Sequence, residues 1–143
     1  MKPTPENWPR ISVTIFYEEP RAAIDWLCEA FGFSIRMVVD GPDGGVAHSE
    51  LEYGSGLVMV SGIRDPSQGL PSGSPKTHGV NTQVMAIFVD DADAHCEHAR
   101  AKGAEIAMEP ITSDYGEDYW ADRTYRAVDP EGHHWWFMQR LRG

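Results

Sequence analysis

The sequence predicts an α+β fold made of two βαβββ units, and three observations carry that prediction. The chain repeats itself: Ile15-Phe16-Tyr17-Glu18-Glu19 lies over Ile87-Phe88-Val89-Asp90-Asp91 at an offset of 72 (87 − 15), and self-similarity at a fixed spacing marks a duplicated unit. Each run is an apolar strand end, then two acids, then a helical pattern that stops at a glycine, Gly32 or Gly103. Each half then closes on a hairpin pattern, with residues 51–60 lying over residues 127–136 at an offset of 76 between the turn glycines (132 − 56). The later hairpin is the clearest. Asp129, Pro130 and Gly132 stand at the first, second and fourth positions of a type I turn. The flanking runs are aromatic and β-branched, as paired strands favour.

Taken in order, residues 1–10 read as an extended, proline-rich arm carrying Trp8. Residues 11–17 alternate as a strand. Pro20 suits a first helical turn, and Ala23, Leu27, Ala30 and Phe31 mark one face of the helix that Gly32 ends. A strand at 33–39, a turn at Gly41-Pro42-Asp43-Gly44-Gly45 and a hairpin of 46–53 with 57–61 complete the first unit. Residues 63–82 are rich in Gly, Ser and Pro, show no period and read as a connection. The second unit opens with a strand at 83–89. Asp90 or Asp91 caps a helix whose buried face carries Ala92, Cys96, Ala99 and Gly103. A strand at 104–108, an acidic aromatic loop at 110–122 and the final hairpin follow.

With 143 residues the chain has the size of a single domain, with unit one spanning about residues 10–62 and unit two about 83–140. Its formal charge of −10, from 12 basic and 22 acidic side chains, argues against a nucleic-acid partner, which needs a basic face. That charge favours a cationic ligand at long range. Cys28 and Cys96 fall in helices and read as thiols of a reduced, cytoplasmic protein rather than a disulfide framework. No signal peptide or membrane-length apolar run is evident. Phosphate-cradling loops, nucleophile elbows and zinc-spaced Cys/His pairs are absent from the sequence.

The two βαβββ units, the Asp129-Pro130-Glu131-Gly132-His133 turn and the Trp120-Ala121-Asp122-Arg123 segment before it resemble the vicinal oxygen chelate superfamily. That family includes glyoxalase I, extradiol dioxygenases and bleomycin-resistance proteins. The resemblance runs from about residue 10 to residue 140. It implies sheets curled into a cup, a homodimer to which the Trp8 arm contributes, and in the family's enzymes a divalent metal held by four His or Glu side chains. Matching the motifs places those four positions at Ser12, Val60, Val84 and Trp136. Three of these offer no ligand atom and Ser12 alone is a poor one, so the resemblance implies the cavity without its metal and without another cofactor.

Other metal arrangements are weaker. His48 and Glu50 share a strand face, and His95 and His98 lie at i, i+3 on a helix face expected to be solvated. His133 reads as structural. The expected ligand-binding set is Ser12, Phe16, Val60, Val84, Arg123, Tyr125, His134 and Trp136, an apolar, aromatic lining in which Arg123 either meets an anion or, the reading preferred for that residue, forms a structural pair with Asp122 or a loop acid. Trp135 and Phe137 are expected in the core beneath the helices. The leading functional expectation is metal-free binding of a small aromatic or cationic molecule, as in the bleomycin-resistance members. The alternatives are a metal-dependent lyase or isomerase of the glyoxalase type, using ligands not recognised here or an acid–base pair such as Glu50 and His134, and a structural module whose cavity is filled.

Overall fold

A computed structural model describes all residues, 1–143. The chain divides into two units, Met1–Ser74 and Pro75–Gly143, with the division inside the connection expected at 63–82. That connection carries a 3₁₀ turn at Pro66–Gln68, capped by Asp65, and a four-residue helix at Pro75–His78. No helix is long and apolar enough to cross a membrane.

The first unit contains β1 (Val13–Tyr17), α1 (Pro20–Phe31), β2 (Ser34–Asp40), β3 (Val46–Tyr53) and β4 (Gly56–Gly62). Its sheet runs β1-β4-β3-β2, with β1 and β4 parallel and the remaining pairs antiparallel. Pro20 fits the first turn of α1 because its missing N–H would have no helical partner there. Gly32 ends the helix at φ +86, where a side chain would be strained, and gives its N–H to the Cys28 carbonyl. Ala23, Ile24, Leu27, Ala30 and Phe31 form the buried helix stripe. Ile15, Tyr17, Leu51 and Val60 are at most 1 % exposed and share the sheet face that this stripe covers. The other face carries Phe16, Met59, Glu50 and His48, by strand alternation.

The second unit repeats the order. The short helix at Pro75–His78 is α2. It is followed by β5 (Met85–Phe88), α3 (Ala92–Ala101), β6 (Glu105–Asp114), β7 (Ala121–Val128) and β8 (His134–Arg142). The sheet runs β5-β8-β7-β6, with β5 and β8 parallel. Asp91 caps α3, its carboxylate accepting from the Ala94 N–H at 2.9 Å. Beneath α3 lie Tyr125, Ala127, Trp135 and Phe137, all fully buried. The acidic loop expected at 110–122 is shorter than the sequence suggests. β6 continues to Asp114 because Thr112, Ser113 and Asp114 pair with Arg123, Asp122 and Ala121, and Arg142 forms an ion pair with Asp114.

The turns of the two closing hairpins differ by one residue. In unit one Tyr53 pairs with Gly56 across Gly54-Ser55. In unit two the Asp129 N–H bonds the His133 carbonyl, enclosing three residues, and Gly132 N–H closes the i to i+3 bond on Asp129. The equivalent β1 and β5 residues, Ile15 and Ile87, sit beside Val60 and Phe137. The offset in the last strand is therefore 77 (137 − 60), one more than the turn glycines suggest. Val60 corresponds to Phe137, and Met59 to Trp136.

Candidate functional site

That one-residue difference decides which side chains share the helix-free faces, because a one-residue slip moves a side chain to the opposite face. Trp136 pairs with Arg126, Met138 with Thr124 and Phe137 with Tyr125. Parallel pairing puts Ala86 beside Trp136 and Phe88 beside Met138. The helix-free face of unit two therefore carries Val84, Ala86 and Phe88 on or just before β5, His134, Trp136, Met138 and Arg140 on β8, and Arg126 on β7. Three of its apolar residues are well exposed: Val84 at 45 %, Phe88 at 54 % and Trp136 at 36 %.

Three of the expected binding residues are placed differently. Val60 is 1 % exposed and lies beside Ile15 under α1. Ser49 replaces a ladder bond there, accepting from the Val60 N–H at 2.8 Å and donating to its carbonyl at 2.6 Å. Tyr125 lies under α3, stacked on Phe137 with centroids 5.1 Å apart, its hydroxyl 2.5 Å from His95 Nδ1. His95, expected on a solvated face, thus belongs to an aromatic cluster and sits 4.4 Å from Phe137, ring to ring. Arg123 also points to the helix side, with Nε and one terminal nitrogen 2.7 and 2.8 Å from the two Asp93 oxygens. That bidentate pair holds the Asp93 carboxyl below its ordinary pKa. One structural feature accounts for all three: the closing turn of unit two encloses three residues rather than two, so Trp136 faces Arg126 rather than Tyr125, and Val60 corresponds to Phe137 rather than to Trp136. Counting outward from Asp129 and His133 would have found Arg126 opposite Trp136.

Ser12, Phe16, Val84, His134 and Trp136 keep the expected parity on the helix-free faces of their own units. The backbone N–H of His134 is held by Asn81 Oδ1 at 3.1 Å.

Arg126 is half-buried, with its guanidinium 5.9 Å from the Trp136 ring centre, and its Nε is buried without a hydrogen-bond partner. Three other arginines of this unit are neutralised: Arg100 by Glu109, Arg123 by Asp93 and Arg142 by Asp114. At the far end of the same face a pocket of about 400 Å³ is lined by Phe88, Val89, Asp90, Trp120, Gln139 and Arg140. Phe88 and Trp120 meet edge to face at 6.0 Å. Trp120 is fixed by its Nε1–H on Asp122 Oδ2 at 2.6 Å, and Gln139 by the Ala92 N–H on its Oε1 at 3.0 Å.

The helix-free face of unit one combines apolar residues, Phe16, Met59 and the exposed Met37 and Val39, with a charged cluster whose groups meet one another. A β-bulge between Ile35 and Met37 turns Arg36 toward Glu50. Glu50, 5 % exposed, has one oxygen 2.8 Å from His48 Nε2 and the other 3.3 Å from Arg36 Nε. Arg36 also bonds the Asn7 carbonyl at 2.9 Å and lies 5.3 Å from the Trp8 ring centre, so the arm is engaged within its own unit.

The donor set does not fit the family's metal. Ser12, Val84 and Trp136 hold three of the four positions, and with Val60 under the helix the fourth falls to Met59 or Ser61. None supplies an imidazole or a carboxylate, and no group of three or more His, Cys, Asp or Glu is placed to hold a metal ion. The cysteines are poor nucleophiles: burial raises the pKa of both Cys28 and Cys96, with Asp25 adding to the first and Arg100 partly opposing the second. The Asp129 carboxylate, 5 % exposed, accepts the Glu131 and His133 N–H groups and the Trp135 indole N–H, at 3.0, 3.0 and 3.1 Å. It holds the turn.

Comparison with known proteins agrees with this frame. An uncharacterized protein of Mycobacterium tuberculosis is 29% identical over 136 residues, spanning 94% of this chain and 76% of its own length. TioX from Micromonospora sp. ML1 superposes with a TM-score of 0.72 at 29% identity, covering 93% of this chain and 99% of that one. A glyoxalase/bleomycin resistance protein/dioxygenase family enzyme from Burkholderia phytofirmans PsJN shares the fold, with a TM-score of 0.64 at 18% identity, covering 91% of this chain and 97% of that one. The family model for the glyoxalase/bleomycin resistance protein/dioxygenase superfamily matches residues 11–137, and with both βαβββ units in place the chain belongs to that superfamily.

Proposed function

We propose that this protein binds a small, planar, largely apolar molecule on the helix-free face of its second unit, without a metal ion. The observation that carries this reading is the pocket of about 400 Å³ walled by Phe88 and Trp120. It lies at the end of a face that also leaves Val84 and Trp136 exposed. Ligand sites are usually concave, apolar and aromatic, with a few polar groups to fix orientation, and have volumes of roughly 300–1,000 Å³. Here Asp90, Gln139 and Arg140 supply the polar groups. The donor chemistry at Ser12, Met59, Ser61, Val84 and Trp136 supports binding that needs no metal.

The test is a fluorescence titration of chelator-treated protein with naphthalene-based probes, 2-naphthamide first. Saturable quenching of tryptophan emission, unchanged by added Ni²⁺ or Zn²⁺ and weakened in Phe88→Ser, is expected. Binding that appears only with metal would overturn the reading.

A lyase or isomerase has one observation in its favour, the buried Glu50 carboxylate against His48. Both Glu50 oxygens are already engaged, one by His48 and one by Arg36, which suits a structural ion cluster better than a proton carrier.

A further inference from the structure

We infer that the ligand of this face carries an anionic group, a carboxylate or its equivalent, beside its planar part, and that Arg126 receives it. This rests on the proposed binding face and adds its charge selectivity.

Arg126 stands in the central region of the sheet, on β7, between Trp136 of β8 and Met108 of β6. A half-buried guanidinium normally meets a carboxylate, because an unpaired polar group out of water costs free energy. Arg123, three residues away, follows that rule with Asp93, and so do Arg100 and Arg142 with their own acids. Arg126 does not. No acid pairs with it, although the chain has 22 acidic side chains; its Nε is buried and unpartnered, as is that of Arg142, whose charge Asp114 meets at a terminal nitrogen, so the missing acid is what sets Arg126 apart.

Its nearest special contact is the Trp136 ring. The guanidinium carbon lies over that ring, 5.9 Å from its centre, a cation–π placement. An aromatic carboxylate matches that geometry: its ring extends the apolar row of Trp136 and Ala86, and its two oxygens meet the fork in a bidentate pair. Arg140 is exposed on the same face, four residues further along β8 and thus about 13 Å away. It is too far to share one carboxylate with Arg126. The overall charge of −10 favours cations at long range, but it is screened beyond about 8–10 Å at physiological salt. The local cation decides what docks.

The experiment compares three matched probes on the full chain by calorimetry: 2-naphthoate, neutral 2-naphthamide and cationic 2-naphthylmethylamine. Naphthoate is expected to bind about tenfold or more tightly than naphthamide, the worth of one charge-assisted hydrogen-bonded pair. In Arg126→Gln that gap should close, with naphthamide affinity changing far less than naphthoate affinity, and Arg126→Lys should restore part of it; Arg140→Gln, at a pocket-lining residue, should weaken the three probes alike and leave the gap open. Equal affinities for naphthoate and naphthamide, or tightest binding of the amine, would overturn the inference while leaving the binding face standing. A gap that closes in Arg140→Gln instead would overturn the assignment to Arg126. No binding of any probe would overturn both. Circular dichroism of each variant separates lost affinity from lost fold.

Discussion

The two units share a frame and differ in what they leave unsatisfied. In unit one the helix-free face carries a charged cluster in which Glu50 is held by both His48 and Arg36, and Arg36 in turn by Asn7 and Trp8. In unit two the corresponding face carries exposed aromatics and an arginine whose Nε lacks a partner. Satisfied polar groups fix structure, and unsatisfied ones next to apolar surface are where a ligand gains most. On the proposed reading the binding chemistry belongs to the second unit and the first has a structural role.

The largest expected contrast lies between two adjacent tryptophans. Trp135 is fully buried under α3, whereas Trp136 is 36 % exposed on the other face. Trp135→Ala should cost about 3–5 kcal/mol of stability in urea denaturation. Trp136→Ala should stay within about 1 kcal/mol and lose probe binding instead. Comparable stability losses would break the register on which the site rests.

The two turns come next. Asp129→Ala strands two backbone N–H groups and an indole N–H in a buried turn, and should cost about 2–4 kcal/mol. Ser55→Ala, in the exposed two-residue turn of unit one, should change stability by less than about 0.5 kcal/mol.

Ser49 and Tyr125 occupy equivalent places, opposite Val60 and Phe137. Ser49→Ala removes both side-chain bonds to Val60 and should cost about 1–3 kcal/mol. Tyr125→Phe keeps the stack on Phe137 and loses the His95 contact, so about 1 kcal/mol is expected.

The smallest effect is the response to acid. Asp93 is lowered by its bond to Arg123, and Asp114 by the Gly116 N–H and then by Arg142. In unit one Asp65 is lowered by Ser67. A carboxylate depressed in the folded state contributes stability above its unfolded pKa of about 3.9, and that contribution is lost as pH falls through the lower folded value. Carboxyl NMR titration should show Asp93, Asp114 and Asp65 ionising below that reference, and Asp93→Asn should flatten the acid limb slightly. An Asp93 midpoint at or above 3.9 would contradict the Arg123 pair.

Most of the fold was legible because its signals are local. Pro20, Gly32 and Asp91 punctuate the helices, the apolar periods give the strands, and the order strand, helix, strand, hairpin appears twice. The site was legible only in part, because a face depends on counting through a turn. Aligning Gly56 with Gly132 matched two glycines with different roles: the first begins β4, and the second, at φ +89, closes the longer turn. That slip moved Val60, Arg123 and Tyr125 to the wrong face and hid Arg126. The Arg36 bulge was illegible for a related reason, since a bulge leaves no mark in alternation until the partner strand is known.

The most direct test is a map of which face responds. Chelator-treated, ¹⁵N-labelled protein titrated with 2-naphthoate should show its largest amide and indole shifts at Phe88, Arg126 and Trp136, with the backbone around His48 and Glu50 unmoved. Shifts centred on His48 and Glu50, with Trp136 unmoved, would contradict the assignment of binding to the second unit.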